Sequence, residues 1–310
     1  MSAVADIVVV NWNSGGMLRE CIDSIAANRQ AVGRVVVVDN GSNDGSFDLS
    51  SYDYDWLVLI KAGQNLGFAK ACNVGAARCD APFILFLNPD ARLMDQSLEG
   101  ALRFMTSPEG SGFGICGVRL VGRTGDVERH CANFTDPSTY VGQAIGLART
   151  FPQIFTPHFM QDFDHLESRP VDQVIGAFFL VRRELFEVLR GFDERYFVYF
   201  EEVDFALRAR KAGWRTFYLA SATAYHYGGG SSEKVKAARL FYSLRSRLLY
   251  AKRHFSPVGV AITYLVTLCV EPFSRVAHAL FRRAPADAGA VIHAYAMLFK
   301  QIFRSSVRSS

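Results

Sequence analysis

Residues 83–93, FILFLNPDARL, join five apolar residues to a polar turn that carries a carboxylate. An unalternating apolar run of this length suits a strand buried on both faces, as in a parallel sheet. Two similar runs precede it, Ile7-Val8-Val9-Val10 and Val35-Val36-Val37-Val38. Between the first two, Leu18, Cys21, Ile22 and Ile25 recur at helical spacing. Between the second and third, GFAKACNVGAARC (67–79) reads as a helix of small residues able to lie close to a sheet. Strand, helix, strand, helix, strand predicts an α/β chain built on a doubly wound, mostly parallel sheet.

In such sheets ligands sit beyond the carboxyl ends of the strands. Those ends read Asn11-Trp12-Asn13, Asp39-Asn40-Gly41-Ser42 and Asn88-Pro89-Asp90, all able to hydrogen-bond or to hold a metal. Each also fits an ordinary turn, because Gly and Asn accept positive φ. Pro89 adds a constraint: it fixes its own φ and pushes Asn88 to an extended conformation, so Asn88 and Asp90 point in a defined relative direction. A Mg²⁺ ion on a diphosphate needs few protein ligands, since water and phosphate supply the rest.

The chain has 310 residues, enough for one large α/β domain with additions or for two smaller ones. Half of it is hydrophobic and 21% is charged, which excludes a disordered chain. A net charge of +4 is too small to argue for nucleic acid. The charge is uneven, however: from Lys234 onward, thirteen Lys and Arg face Glu271 and Asp287 alone. Six scattered cysteines without a CxxC indicate neither a zinc site nor a disulfide framework, and they fit a reducing compartment. MSAVADIVVVNWN reads as a first strand and not as a signal peptide.

Farther along, 110–170 reads as mostly loops with a strand at 114–121. A strand follows at 174–181, then a helix at 183–189 and another from Glu201 to Gly213, with strands at 215–219 and 222–226. Residues 232–254 have the spacing of a long amphipathic helix, and 257–303 hold further helical segments broken at Pro257, Pro272 and Pro285. The uncharged run Pro257–Val270 would measure roughly 20 Å as a helix, short of the ~30 Å hydrocarbon core of a bilayer.

Two more constellations carry chemistry. Glu201, Glu202 and Asp204 stand at the start of a predicted helix beside Tyr196, Phe197, Tyr199 and Phe200. The helix dipole alone accounts for one or two of these acids; three beside aromatic residues suit an enclosed site in which one acts as general base. His226 precedes a Gly-rich turn, Tyr227 to Ser232, whose backbone N–H groups can approach an anion closely.

In their order and spacing, NWNS (11–14), VVVDNGSNDGS (36–46), QNLGFAKACNVG (64–75), LFLNPDA (85–91), the stretch 176–213 and HYGGGSS (226–232) resemble the family 2 glycosyltransferases of the GT-A fold, in particular the bacterial rhamnosyltransferase-like branch. The likeness covers roughly residues 5–255. It implies a catalytic domain over 1–231, with a nucleotide-sugar half to about 120 and an acceptor half beyond, and a helical region over 232–310. It implies a nucleotide-sugar site of Asn11, Asn13, Asp39, Asn65, Gly67, Lys70, Asn73, Asn88 and Asp90, with Asp39 on the base and Lys70 near the diphosphate. Asp90 and His226 would hold Mg²⁺ or Mn²⁺, Asn88 standing where the family's Asp-x-Asp motif begins. Glu202 would be the base, with Glu201 and Asp204 as alternatives, and Gly176, Ala177 and Phe200 would line the acceptor side.

The implied reaction is inverting transfer of a sugar to a hydroxyl of a cell-envelope glycan or lipid-linked acceptor. The branch points to dTDP-L-rhamnose as donor, with UDP-galactose, UDP-glucose and UDP-GlcNAc as alternatives. The basic C-terminal segments flanking apolar helices suit an anionic membrane surface, on the cytoplasmic face of the cell membrane; a helical cap on the catalytic domain is the other reading. A dehydrogenase would need GxGxxG after the first strand, where NWNSGG stands. A pyrophosphorylase would open on a Gly-rich basic loop. A glycosidase would need a general acid at the leaving group. A catalytically silent glycan-binding protein would have no need to keep Asp90, Glu202 and His226 together.

Overall fold

The computed structural model describes residues 4–160, 162–228 and 235–307. They fall into two compact units. The first comprises Met1–Phe134, Phe159–Phe197 and Glu201–Ser231; the second comprises Thr135–His158, Val198–Phe200 and Ser232–Ser310.

The first unit is built on one sheet. Its strands are β1 (Ala5–Asn11), β2 (Val32–Asp39), β3 (Leu57–Lys61), β4 (Phe83–Leu87), β5 (Ala91–Leu93), β6 (Phe113–Val121), β7 (Arg169–Val171), β8 (Phe178–Arg182) and β9 (Arg215–His226), in the order β3-β2-β1-β4-β8-β6-β9-β5 with β7 also on β9. β1 to β4 are mutually parallel, β8 lies antiparallel between β4 and β6, and β9 runs parallel to β6. The sheet is thus mostly parallel, with β5, β7 and β8 reversed. The two strands expected at 215–219 and 222–226 are one, β9, whose pairing with β6 slips between Val118 and Arg119.

The unbroken apolar runs follow from helices on both faces. Ile7, Val9, Val35, Val37, Leu85 and Leu87 enter one core with Leu18, Cys21, Ile22 and Ile25 of α1 (Met17–Ala27) and Leu98 and Leu102 of α3 (Ser97–Thr106). Val8, Val10, Val36, Val38, Ile84 and Phe86 enter the other. There they meet α2 (Phe68–Ala76), α5 (Arg183–Val188) and α6 (Glu201–Lys211). Each such side chain stabilises the fold by about 1.5–3 kcal/mol. α2 needs small residues to come this close: a Cβ on Gly75 would lie 2.5 Å from the Val8 side chain.

The second unit holds α4 (Pro137–Ala144), α7 (Lys236–His254), α8 (Pro257–Leu265), α9 (Glu271–Phe281) and α10 (Pro285–Val307). Leu244, Leu248, Tyr295 and Leu298 form its apolar centre. Beside it the Glu271 carboxylate lies between Arg247 and Arg275, and the Arg247 guanidinium sits 4.6 Å over the Tyr140 ring. Burial would raise the Glu271 pKa, but the two guanidinium groups hold it below the usual carboxylate range.

The sequence suggested a break at Pro272, but the helix continues through it. A π turn at Val266–Val270 joins α8 to α9, and Pro272 falls in the first turn after it, where its missing N–H costs least. Pro257–Phe281 is therefore one run of 25 residues, within which an 18-residue stretch has a mean hydropathy of 1.4. At about 1.5 Å per residue it measures roughly 37 Å, long and apolar enough to cross a bilayer, which the run to Val270 alone is not.

Candidate active site

The carboxyl ends of β1 and β2 form the first part of the site, all within the first unit. Asn11 and Asp39 are register partners. The Asn11 amide donates to Asp39 Oδ1 at 3.1 Å, Ser42 Oγ at 3.1 Å and Ser46 Oγ at 2.9 Å, while Asn11 Oδ1 accepts from Ser14. Asn11 is wholly buried, so it faces protein where the sequence placed it toward a nucleotide; it aims Asp39. Asp39 also accepts from the Ser42 amide. Asn13, with φ +50°, accepts from the Asn43 amide at 2.9 Å.

Asn40 continues the network. It donates to Asn65 Oδ1 at 3.0 Å and accepts from the Leu66 amide at 2.8 Å. Asn65 in turn accepts from Gly67 N–H. Gly67 has φ +85°, and a Cβ there would lie 2.5 Å from the Phe197 carbonyl, to which Phe68 N–H donates at 2.6 Å. The loop before α2 is thereby tied to the segment that leads into the acidic cluster. Asn73, expected at the donor, pins that same segment: it exchanges hydrogen bonds with the Phe192 backbone at 2.9 and 3.0 Å. Lys70 stands half-exposed, 3.8 Å from Glu194.

The Asn-Pro-Asp turn is fixed by the short strand after it. β5 pairs with the end of β9, setting Ala91 opposite His226, and Tyr227 N–H donates to the Asp90 carbonyl. Asp90 Oδ1 then lies 3.6 Å from His226 Nε2. Asn88 N–H donates to the carbonyl of buried Ala177 at 3.1 Å, and next to it Gly176 is partly open. On its other side His226 Nδ1 lies 2.8 Å from Glu128 Oε2, a residue to which the sequence gave no role. Burial would lower the His226 pKa; the two carboxylates outweigh it and lift it to about 9.

The 3.6 Å separation is too long for a good hydrogen bond. It falls between the ~3.0 Å and ~4.2 Å that two ligands at about 2.1 Å from one ion span at right angles and in line. An imidazole nitrogen and a carboxylate oxygen close enough to reach one ion are donors that would suit Mg²⁺ or Mn²⁺. Among the described residues no group of three His, Cys, Asp or Glu comes together to hold a metal by itself. The Gly-rich turn expected to help, Gly229 to Ser232, lies outside the described residues.

The acidic cluster opens α6, directly after Tyr199 and Phe200, whose φ values of +66° and +72° are strained for side-chain-bearing residues. Val198 accepts from Ser246 Oγ and Phe200 packs on Tyr250, both of α7, so Phe200, expected on the acceptor side, has its ring against a helix. The three carboxylates differ. Asp204 is fully buried, 2.6 Å from Arg208, which also donates to the carbonyls of Leu189 and Gly191. Glu201 and Glu202 each have a buried Oε2 without a hydrogen-bond partner among the described residues. Burial pushes the pKa of both up, and the Glu202 charge pushes that of Glu201 further. Burial raises the pKa of the Cys72 thiol in α2, and the Glu201 and Glu202 charges add to it. A carboxyl held above its usual range, with an unmatched oxygen, is suited to taking a proton near neutral pH.

A mostly parallel sheet with helices on both faces and polar side chains at its carboxyl edge is the GT-A architecture of glycosyltransferases. The chain belongs to glycosyl transferase family 2, whose family model matches residues 6–190. It is 29% identical to the N-acetylglucosaminyl-diphospho-decaprenol L-rhamnosyltransferase of Mycobacterium tuberculosis, over 82% of this chain and 86% of that one. It is 24% identical to the rhamnosyltransferase WbbL of Escherichia coli, over 80% and 92%. Among solved structures it is similar in fold to the mannosyltransferase PcManGT of Pyrobaculum calidifontis in complex with GDP-Man and Mn²⁺, with a TM-score of 0.59 at 16% identity over 96% of this chain and 88% of that one.

Proposed function

We propose that this glycosyltransferase moves L-rhamnose from dTDP-L-rhamnose to a hydroxyl of a glycan or lipid-linked acceptor, with inversion. The observation that carries the inverting reading is the Glu201–Glu202 pair: two carboxyls at a helix N-terminus with raised pKa, each with one buried oxygen that has no partner among the described residues. Glu202, partly exposed where Glu201 is buried, accepts the proton of the acceptor hydroxyl as its oxygen attacks the anomeric carbon. Asp39, aimed by Asn11, accepts hydrogen bonds from the nucleoside. Asp90 and His226 would hold a divalent cation, which when bound offsets negative charge on the departing diphosphate. The rhamnosyl donor rests on the relatives' names; UDP-galactose, UDP-glucose and UDP-GlcNAc are the alternatives.

The second unit supports a peripheral place on an anionic membrane face, the cytoplasmic one. Val258, Ile262, Leu265, Phe273 and Leu280 leave one side of the 257–281 helix exposed and apolar, and Arg282, Arg283, Lys300 and Arg304 are exposed nearby in the chain. Glu271, paired with both Arg247 and Arg275, argues against that helix crossing the bilayer.

The test is a panel of nucleotide sugars with Mn²⁺ or Mg²⁺, read as release of nucleoside diphosphate. Turnover of dTDP-L-rhamnose above the UDP-sugars is expected; turnover of none would overturn the reading. Sedimentation with vesicles containing anionic lipid should pull down the full chain, and protein left in the supernatant would remove the membrane from the proposal.

A further inference from the structure

Glu128 lies 98 residues from His226 in sequence, and a particular piece of topology brings the two together. β6 and β9 run side by side in parallel, with Val121 beside Tyr225. After Val121 the chain turns back on itself through Gly122 to Gly125, the last with φ +82°. Val127 bridges to Val121, and Glu128 N–H donates to the Leu120 carbonyl. This return places Glu128 beside the end of β9. Arg123 holds the turn there, its guanidinium 4.7 Å over the Tyr227 ring. The chain leaves His226 through Gly228, at φ +73°, where a Cβ would come within 3.3 Å of Glu128 Oε1.

An imidazole has two nitrogens and can give only one of them to a cation as a lone pair; the other then carries a proton that needs an acceptor. His226 presents Nε2 to Asp90 at 3.6 Å and Nδ1 to Glu128 at 2.8 Å. Glu128 therefore matches the outer partner that ligating histidines use, a carboxylate that accepts the distal N–H, fixes the ring and makes the other nitrogen a stronger donor. We infer that Glu128 is a positioning residue for the divalent cation: it holds His226 with Nδ1 protonated and Nε2 presented to the ion beside Asp90. The inference rests on the metal reading of Asp90 and His226 above. It adds a residue that touches neither the ion nor the donor.

The experiment is Mn²⁺ binding to the full chain with UDP or dTDP present, read by electron paramagnetic resonance of free Mn²⁺, for wild type, Glu128→Ala and Glu128→Gln. Thermal unfolding runs in parallel. Losing an outer partner of this kind typically weakens metal affinity by about 10–100-fold. Glu128→Ala is expected to fall in that range, and Glu128→Gln, whose amide oxygen still accepts from Nδ1–H, to recover part of the loss. Glu128→Ala binding Mn²⁺ within twofold of wild type would overturn the inference while leaving the metal reading intact. Wild type that binds no Mn²⁺ with either nucleotide would overturn both. Should Glu128→Ala fail to fold, Glu128→Gln carries the comparison alone, with a weakening of at least threefold expected and none overturning the inference.

Discussion

Asp204 offers the sharpest test of which acid does what at the start of α6. Its side chain is 0% exposed and 2.6 Å from Arg208, itself 14% exposed. Asp204→Ala would leave the Arg208 Nε–H without its carboxylate while the Leu189 and Gly191 carbonyls keep the guanidinium in place. Breaking one side of a buried pair in this way costs about 3–5 kcal/mol. With each kcal/mol worth ~2–4 °C in a large domain, the midpoint should drop by roughly 6–20 °C. Asp204→Asn, which keeps an acceptor but not the charge, should lose less, about 1.5–3 kcal/mol. Because the carboxylate is engaged by Arg208, kcat of the folded Asn variant should stay within about tenfold of wild type, against the 10²–10⁴ expected on losing a general base. Thermal unfolding and initial rates on one preparation decide it. Unchanged stability with a kcat loss beyond about 100-fold would refute the assignment and make Asp204 the base.

Three further outcomes follow from the same geometry. Glu202→Gln should lower kcat by about 10²–10⁴ with the fold intact, and Glu201→Gln by less; since burial raises both pKa values, wild-type activity should rise with pH along a limb above the ordinary carboxylate range, readable in a rate profile between about pH 4.5 and 8. Asp90→Asn should abolish metal-dependent turnover, whereas Asn88→Ala should mainly raise the donor KM, and the reverse order would mean the two ends of the turn have been exchanged. The Glu271 pKa is lowered by Arg247 and Arg275, so its stabilisation is complete above the unfolded value near 4.5 and is lost as pH falls through the lower folded one. Calorimetry across that acid range should show the effect in wild type and not in Glu271→Gln.

Much of the candidate site was legible because strand ends follow from composition. Runs such as VVVV and FILFL, too short for a helix, rich in β-branched residues or ended by a turn, suit a strand in a sheet covered on both sides, and the first polar residue after each run then sits at the carboxyl edge. That logic alone places Asp39, Asn88 and Asp90, and the family resemblance adds the acids and His226. Helix content was legible for α1, α2, α5, α6 and α7, whereas α3 and α4 were not read from the sequence, and at Pro272 a π turn absorbs a residue that spacing rules read as a break.

What tertiary structure decided is which side chain engages which. Asn11 and Asn13 are the same residue type two positions apart, yet three partners 28 to 35 residues away bury the first among protein groups. Asn73 is held by a backbone 119 residues distant, and Asp204 by an arginine one helical turn on. Glu128 had no local signal at all; it acquires its place because β6 and β9 happen to be neighbours and the chain doubles back after one of them. A sequence fixes what a side chain is able to bond. Which bonds it makes depends on partners that only the folded sheet brings within 3 Å, since a buried polar group takes whatever match the packing supplies.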